Sequence, residues 1–309
     1  MTGGGGGGNG SQYGVSATAY RASPRPTFDS PAAIPYASVT RHLWGDDEAG
    51  QVADWIYVSD QQIHQIVFGL APGGGFRHSD AFRTIFGADE VLYVLSGRLL
   101  LANPETGEVH RLRPGEAAFF RRDTWHHAWC EGAEALRVLE FFAPPPATGT
   151  SGAYARTKPN LTTPRYVRDE WLGRWPLGRD AAPPAETIRV LRPDDRLWRL
   201  EGEVGAAPPV ATGIIASTEH LTVGSLRLDP GQKTSCQVHG GAEGLYVLEG
   251  TVNLRLPDWE GAGPSWFELA ARDGFYVPEG VTHQYFNVGD RPTEILFGVA
   301  PRYLLGEGR

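Results

Sequence analysis

The chain has 309 residues, 41% hydrophobic and 21% charged, with 36 acidic against 28 basic side chains and a formal net charge of −8. That length allows two domains or one large one, and the negative balance excludes a nucleic-acid coat or a binder of anionic membranes, which need a basic face. With no apolar run near the roughly 18 residues of a membrane span, no apolar signal region in the first thirty residues and only two cysteines, a cytoplasmic protein without a disulfide framework is expected.

Forty glycines and 24 prolines punctuate the chain, and helical periodicity is hard to find, so many short strands joined by turns are predicted. Residues 1–50 read as a disordered or extended N-terminal tail. The glycine run at 3–8 has nothing to bury and maximal backbone entropy to lose, while Trp44 would dock the end of the tail. Residues 51–146 form a first β module (WIYVSD, QIHQIVFGL, EVLYVLSGRLLLA, LRVLEFFA). Residues 147–212 form an irregular connector rich in Pro, Gly and Arg. At over sixty residues it is too long for a bare linker, and its Tyr154, Trp171 and Trp175 suggest a strap packed along both modules. Residues 213–309 form a second β module.

The two modules are an internal repeat. Residues 90–97 (EVLYVLSG) match residues 243–250 (EGLYVLEG) at six of eight positions. His126 then corresponds to His283, and the dipeptide at 143–144 to that at 300–301. Identity and order recur together, which chance would rarely produce.

In the second module, Gln237 and His239 are two apart on a strand and share a face, and Glu243 rejoins them after two glycines. Pro278 and Gly280 make a tight turn that aims His283 back from a neighbouring strand. Two imidazoles and a carboxylate converging in a barrel form a facial set that holds a divalent metal with positions left open. By the same parity Tyr285 faces this lumen, where it would either orient a ligand or pack the core.

These residues resemble the cupin superfamily. Its first motif reads roughly G-x5-H-x-H-x3/4-E-x6-G and its second G-x5-P-x-G-x2-H-x3-N. His239, Glu243, Gly250, Pro278, Gly280, His283 and Asn287 match at that spacing. Gln237 stands where the family usually has its first metal histidine, and Arg272 where motif two usually begins with glycine. In the first module Glu90, Gly97, Gly115 and His126 match, while Arg121, Asp123 and Cys130 replace the proline, glycine and asparagine. Thr84 and Phe86 occupy the two histidine positions. Either an insertion leaves His78 facing inward, making His78, Glu90 and His126 a second metal set, or that site is degenerate.

The resemblance implies an all-β fold: two cupin jelly-roll barrels in tandem with a long irregular connector, assembled as a homodimer or higher homo-oligomer. It implies a divalent metal, Fe foremost, with Mn, Ni or Zn as alternatives, bound by Gln237, His239, Glu243 and His283. The implied activity is a metal-dependent, dioxygenase-type oxidoreductase acting on a small carboxylated, aromatic or sugar-like molecule. A redox-neutral isomerase, lyase or hydrolase, or a non-catalytic binding protein, is the alternative. Arg121 and Arg122, just before His126, are candidates for clamping a substrate carboxylate or phosphate.

Overall fold

The computed structural model describes residues 23–144, 158–176, 185–201 and 209–305. The glycine run at 3–8 and Tyr154 lie outside them. Within the described residues the chain is built from strands, with two single-turn 3-10 helices at Asp169–Trp171 and Pro193–Asp195. No helix there is long and apolar enough to cross a membrane.

Each module faces a seven-stranded antiparallel sheet with a smaller one. The large sheet of the first module runs Ile188–Leu191, Ala117–Phe120, Asp89–Ser96, Leu136–Ala143, His64–Leu70, Gly50–Ser59, Thr40–Asp46. Its small sheet runs Gly75–Phe76, His127–Cys130, Leu99–Asn103, Glu108–Leu112. The second module repeats this order with Ala32–Ile34, Gly274–Val277, Ala242–Glu249, Thr293–Ala300, Thr222–Leu228, Val210–Ser217, Leu197–Glu201. Its small sheet is Trp266–Ala270, Thr251–Arg255, Gln284–Phe286. Between the facing sheets of each module lies an apolar core, with Leu92, Val94, Leu99 and Leu101 in the first and Leu245, Val247, Val252 and Leu254 in the second. These are tandem jelly-roll barrels, as expected.

The repeated EVLYVLSG and EGLYVLEG segments occupy equivalent central strands, Asp89–Ser96 and Ala242–Glu249. Both end on a glycine in the left-handed region, Gly97 at φ 75° and Gly250 at φ 77°, where a Cβ would be strained. The motif departures keep this backbone shape. Asp123 takes φ 65° where the second module has Gly280 at φ 76°, and Arg272 takes φ 79° where the first has Gly115 at φ 87°.

The expectation of a tail over residues 1–50 is corrected for its described part. Ala32–Ile34 pairs with Gly274–Val277 at the edge of the second module's sheet, and Thr40–Asp46 closes the first module's sheet against Gly50–Ser59. The connector strand Ile188–Leu191 in turn covers the first module's edge at Ala117–Phe120. Each module thus lends the strand that precedes it to its partner. An uncovered sheet edge invites pairing with other chains, and short segments such as Ala32–Ile34 carry too little periodicity to be read as strands. Leu197–Glu201, placed in the connector by its position, is the outermost strand of the second module.

The modules meet through the backs of their large sheets. Trp55, Tyr57, Val67, Val91, Tyr93 and Phe141 of the first share one buried cluster with Ile215, Val223, Tyr246, Tyr276 and Leu296 of the second. Tyr57 and Tyr246 meet edge to face at 5.6 Å, and Phe141 lies so close to Gly298 that a Cβ there would sit 2.4 Å from its ring. Buried hydrogen bonds also cross the interface: Tyr276 donates to Asp60 at 2.6 Å, Tyr57 to the Arg272 carbonyl at 2.6 Å, and Gln65 to the Leu245 carbonyl at 3.0 Å.

Candidate metal centre

Glu243 sits on the central strand Ala242–Glu249, paired with Val277 on one side and Val299 on the other. His239 lies in the loop before it. Gln237 and His283 exchange backbone hydrogen bonds of 2.8 and 2.9 Å, an isolated bridge that brings the two motifs together. The result is a compact group: the ligand atoms of His239, Glu243 and His283 all lie within 4.8 Å of one another, and all three residues are buried. Oε2 of Glu243 is 2.9 Å from Nε2 of His283 and 3.5 Å from Nε2 of His239.

The orientation of each ring is fixed from behind. Nδ1 of His239 donates to the Tyr303 carbonyl at 2.6 Å, and Nδ1 of His283 to the Val281 carbonyl at 3.1 Å. A carbonyl can only accept, so the proton sits on Nδ1 and Nε2 points into the lumen as a ligand atom, the usual support for a metal-bound imidazole. Tyr285 donates to Oε1 of Glu243 at 2.8 Å. His239 Nε2, His283 Nε2 and Glu243 Oε2 remain buried without hydrogen-bond partners, which is costly unless something else engages them. The residues therefore fit a divalent cation.

The charges follow from these contacts. Burial opposes ionisation of Glu243, yet His283, His239 and the Tyr285 hydroxyl hold its carboxyl below the ordinary value. Burial lowers His283, but the nearby Glu243 charge outweighs it and leaves the ring above its ordinary value. Burial lowers His239.

Two residues at this site were not legible in the sequence. Tyr303 stacks on His239 with ring centres 4.7 Å apart, and its hydroxyl donates to Glu201 at 3.2 Å. Glu201 also accepts from the Gln237 amide at 2.5 Å. Glu201 lies on a strand that resembles connector, and Tyr303 follows the last motif, so neither carried a signal.

The first module does not reproduce the centre. His126 donates its backbone N–H to the Thr84 carbonyl at 3.0 Å, just as His283 does to that of Gln237. Thr84 is thus the counterpart of Gln237, and Phe86 of His239. Glu90 and His126 keep their places, 3.9 Å apart, but His78 does not join them, and among the described residues no metal-ligating trio includes any of the three. The expected set of His78, Glu90 and His126 is corrected accordingly. Nε2 of His78 donates to the Leu161 carbonyl at 2.8 Å, leaving Nδ1 to accept from Nε2 of His127 at 2.8 Å, and Nδ1 of His127 accepts from the Tyr166 hydroxyl at 2.8 Å. Both rings are fully used in docking the connector onto the first barrel.

The substrate-clamp expectation for Arg121 and Arg122 is also corrected. Arg121 spans the modules, bonding Glu219 at 3.1 and 2.5 Å and Asp89 at 3.2 Å. Arg122 is exposed and lines neither lumen. Turn residues between two sheets point to the seam between barrels rather than into one. Cys130 is buried, its thiol on the Glu134 carbonyl, a packing role.

Two regions, residues 83–142 and 224–299, match the Cupin domain family model, and with two jelly rolls carrying both motifs the chain is a two-domain cupin. Similar solved structures span most of its length. A putative glyoxylate-induced protein from Pseudomonas aeruginosa aligns at TM-score 0.61 and 18% identity, covering 94% of this chain and 96% of that one. A mutant of oxalate decarboxylase from Bacillus subtilis aligns at 0.57 and 14%, covering 93% and 80%. AerE from Microcystis aeruginosa aligns at 0.55 and 9%, covering 85% and 97%. No functionally curated protein matches the sequence. At these identities the likeness speaks for the fold alone.

Proposed function

We propose that the second module holds a divalent metal and that the protein is a metal-dependent enzyme acting on a small, oxygen-bearing molecule. The observation that carries this reading is the convergence of three buried atoms without partners, His239 Nε2, His283 Nε2 and Glu243 Oε2. Nitrogen and hard oxygen donors suit Fe, Mn, Ni or Zn, and the side-chain oxygen of Gln237 is a further neutral donor beside them. Such an ion, when bound, supplies Lewis acidity toward a substrate oxygen.

The chain's own residues supply the rest. Tyr285 fixes the Glu243 carboxylate. Glu201, bonded to both the Tyr303 hydroxyl and the Gln237 amide, places a proton-accepting group behind two lumen-lining side chains. Phe297, Leu226 and the Tyr303 ring complete an apolar wall that excludes water. A proton-carrying set beside a Lewis-acid site favours a redox-neutral reaction of the lyase, isomerase or hydrolase kind. The neighbour named oxalate decarboxylase, whose Mn(II) centres are named with it, is a lyase by name. A second reading, an Fe-dependent oxidoreductase of the dioxygenase type, is favoured by the two-histidine, one-carboxylate facial set.

The test is turnover of small carboxylic acids and sugars by metal-loaded protein in air and under argon. Equal rates support the redox-neutral reading, and oxygen consumed in step with substrate supports the other. A protein that takes up no divalent metal overturns both.

A further inference from the structure

The lumen of the first module departs from that of the second in a concerted way. Pairing defines the equivalences: Glu90 faces Phe142 as Glu243 faces Val299, Leu92 faces Glu140 as Leu245 faces Phe297, and Phe68 faces Asp54 as Leu226 faces Thr212. Ala128 pairs with Leu101 as Tyr285 pairs with Leu254. Where the second barrel has His239, Tyr285, Phe297 and Thr212, the first therefore has Phe86, Ala128, Glu140 and Asp54. A metal-ligating ring and a space-filling phenol are gone, and two carboxyls have entered.

The outcome is a cavity of about 70 Å³ inside the first barrel. Trp44, Phe68, Phe76, Phe86 and Phe142 wall it, and Asp54 and Glu140 open onto it. Glu140 lies beside Glu90, whose Oε2 is buried without a partner. All three acids are less than a tenth exposed. Among the described residues of the lining, Arg83 is the one with a guanidinium or ammonium group. Burial holds the two histidines neutral, His64 at about 3, with help from the Arg25 charge, and His126 at about 4. Three buried carboxyls thus confront one guanidinium in an apolar chamber, an arrangement that disfavours their ionisation unless a further cation enters. In keeping with this, burial pushes Glu140 up to about 7, and burial with repulsion from Glu140 pushes Asp54 and Glu90 well above the carboxylate range.

We propose that the first barrel binds a small aliphatic ammonium ion, its charged head on Glu140 and Asp54 and its alkyl part among the aromatic rings. The rings favour a cation over their faces, and the acids supply charge-assisted acceptors. An apolar cavity of about 150 Å³ holds the six carbons of benzene, so a chamber about half that size takes a ligand of about three heavy atoms. This site is separate from the metal centre and does not depend on it.

Isothermal titration of the full chain with ethylamine, ethanol and acetate tests the proposal, the three probes differing in charge at nearly constant size. The amine is expected to bind once per chain, at least about tenfold tighter than the alcohol, with acetate not binding. Glu140→Gln, which keeps the volume, and Ala128→Tyr, which refills the chamber, should each weaken the amine about tenfold or more without altering metal uptake by the second module. The circular dichroism spectrum and thermal melt of each variant report that it is folded. Absence of amine binding, equal affinity for amine and alcohol, preference for acetate, or full amine affinity in either variant would overturn it.

Discussion

Nε2 of His283 lies 2.9 Å from Oε2 of Glu243, and Glu243 is held from its other side by Tyr285. This contact joins the two sequence motifs in one buried centre. Groups that orient a metal ligand from behind typically contribute ten- to hundredfold to metal affinity. Tyr285→Phe is expected to weaken divalent-metal affinity by about that factor, read by competition with a chelator, and His239→Ala to abolish stoichiometric binding. Circular dichroism should remain that of a β protein in both, since Tyr285→Phe keeps the ring that packs in the second barrel's core and His239 lies in a loop outside the strands.

In the proposed reaction Glu201 and Tyr303 would act on protons rather than on the ion. Glu201→Gln and Tyr303→Phe should leave metal content unchanged while lowering kcat about 10²- to 10⁴-fold, measured with whatever substrate the aerobic and anaerobic screens identify. Loss of metal together with activity would instead make them structural supports of His239.

Glu108 ties the connector to the first barrel. Its buried carboxylate accepts from the backbone N–H groups of Thr187 at 3.0 Å and Ile188 at 2.9 Å, and pairs with Arg168 at 3.2 Å. Burial opposes its charge, but hydrogen bonds from His110, Ile188 and Thr187 bring its pKa down to about 2 from an ordinary 4.5. A carboxyl depressed on folding stabilises fully above its unfolded value, and that stabilisation is lost as the pH falls from about 4.5 through about 2. Glu108→Gln should cost about 1–3 kcal/mol at pH 7. Denaturation at pH 7, 4 and 3 checks this, because the variant should lose less stability than the parent over that acid range.

Arg121 separates an exposed pair from a buried one. Glu219 is exposed, whereas Asp89 is fully buried. Glu219→Ala is expected to leave Tm unchanged, as exposed ion pairs usually do. Arg121→Ala strips the counter-ion from a buried carboxylate and should lower Tm by about 2–4 °C. Differential scanning calorimetry distinguishes the two, and equal effects would mean that Asp89 does not need the guanidinium.

The parts of the molecule legible in its sequence were those written twice. The E-x-x-YVL-x-G repeat located both central strands, and the spacing from Gln237 to His283 located the converging residues His239, Glu243 and His283, because strand parity and turn chemistry act over a few residues. What escaped depends on contacts made across long separations. Ala32–Ile34 is too short to show a period and becomes a strand only on reaching Gly274–Val277. Glu201 enters the site because Leu197–Glu201 closes a sheet edge. His78 sat at a plausible distance from Glu90 in sequence, yet an aromatic cluster of His127, Trp125 and Tyr166 from neighbouring loops and the connector took it. Phe86, at the family's histidine position, was the better guide to the first barrel.

Anomalous diffraction from crystals of chelator-free, metal-reconstituted protein measures the central claim directly. It should give one strong site per chain, bonded to His239 Nε2, His283 Nε2 and Glu243, and none between Glu90 and His126. Density in the first barrel instead, or a second barrel that stays empty after reconstitution, would contradict the account.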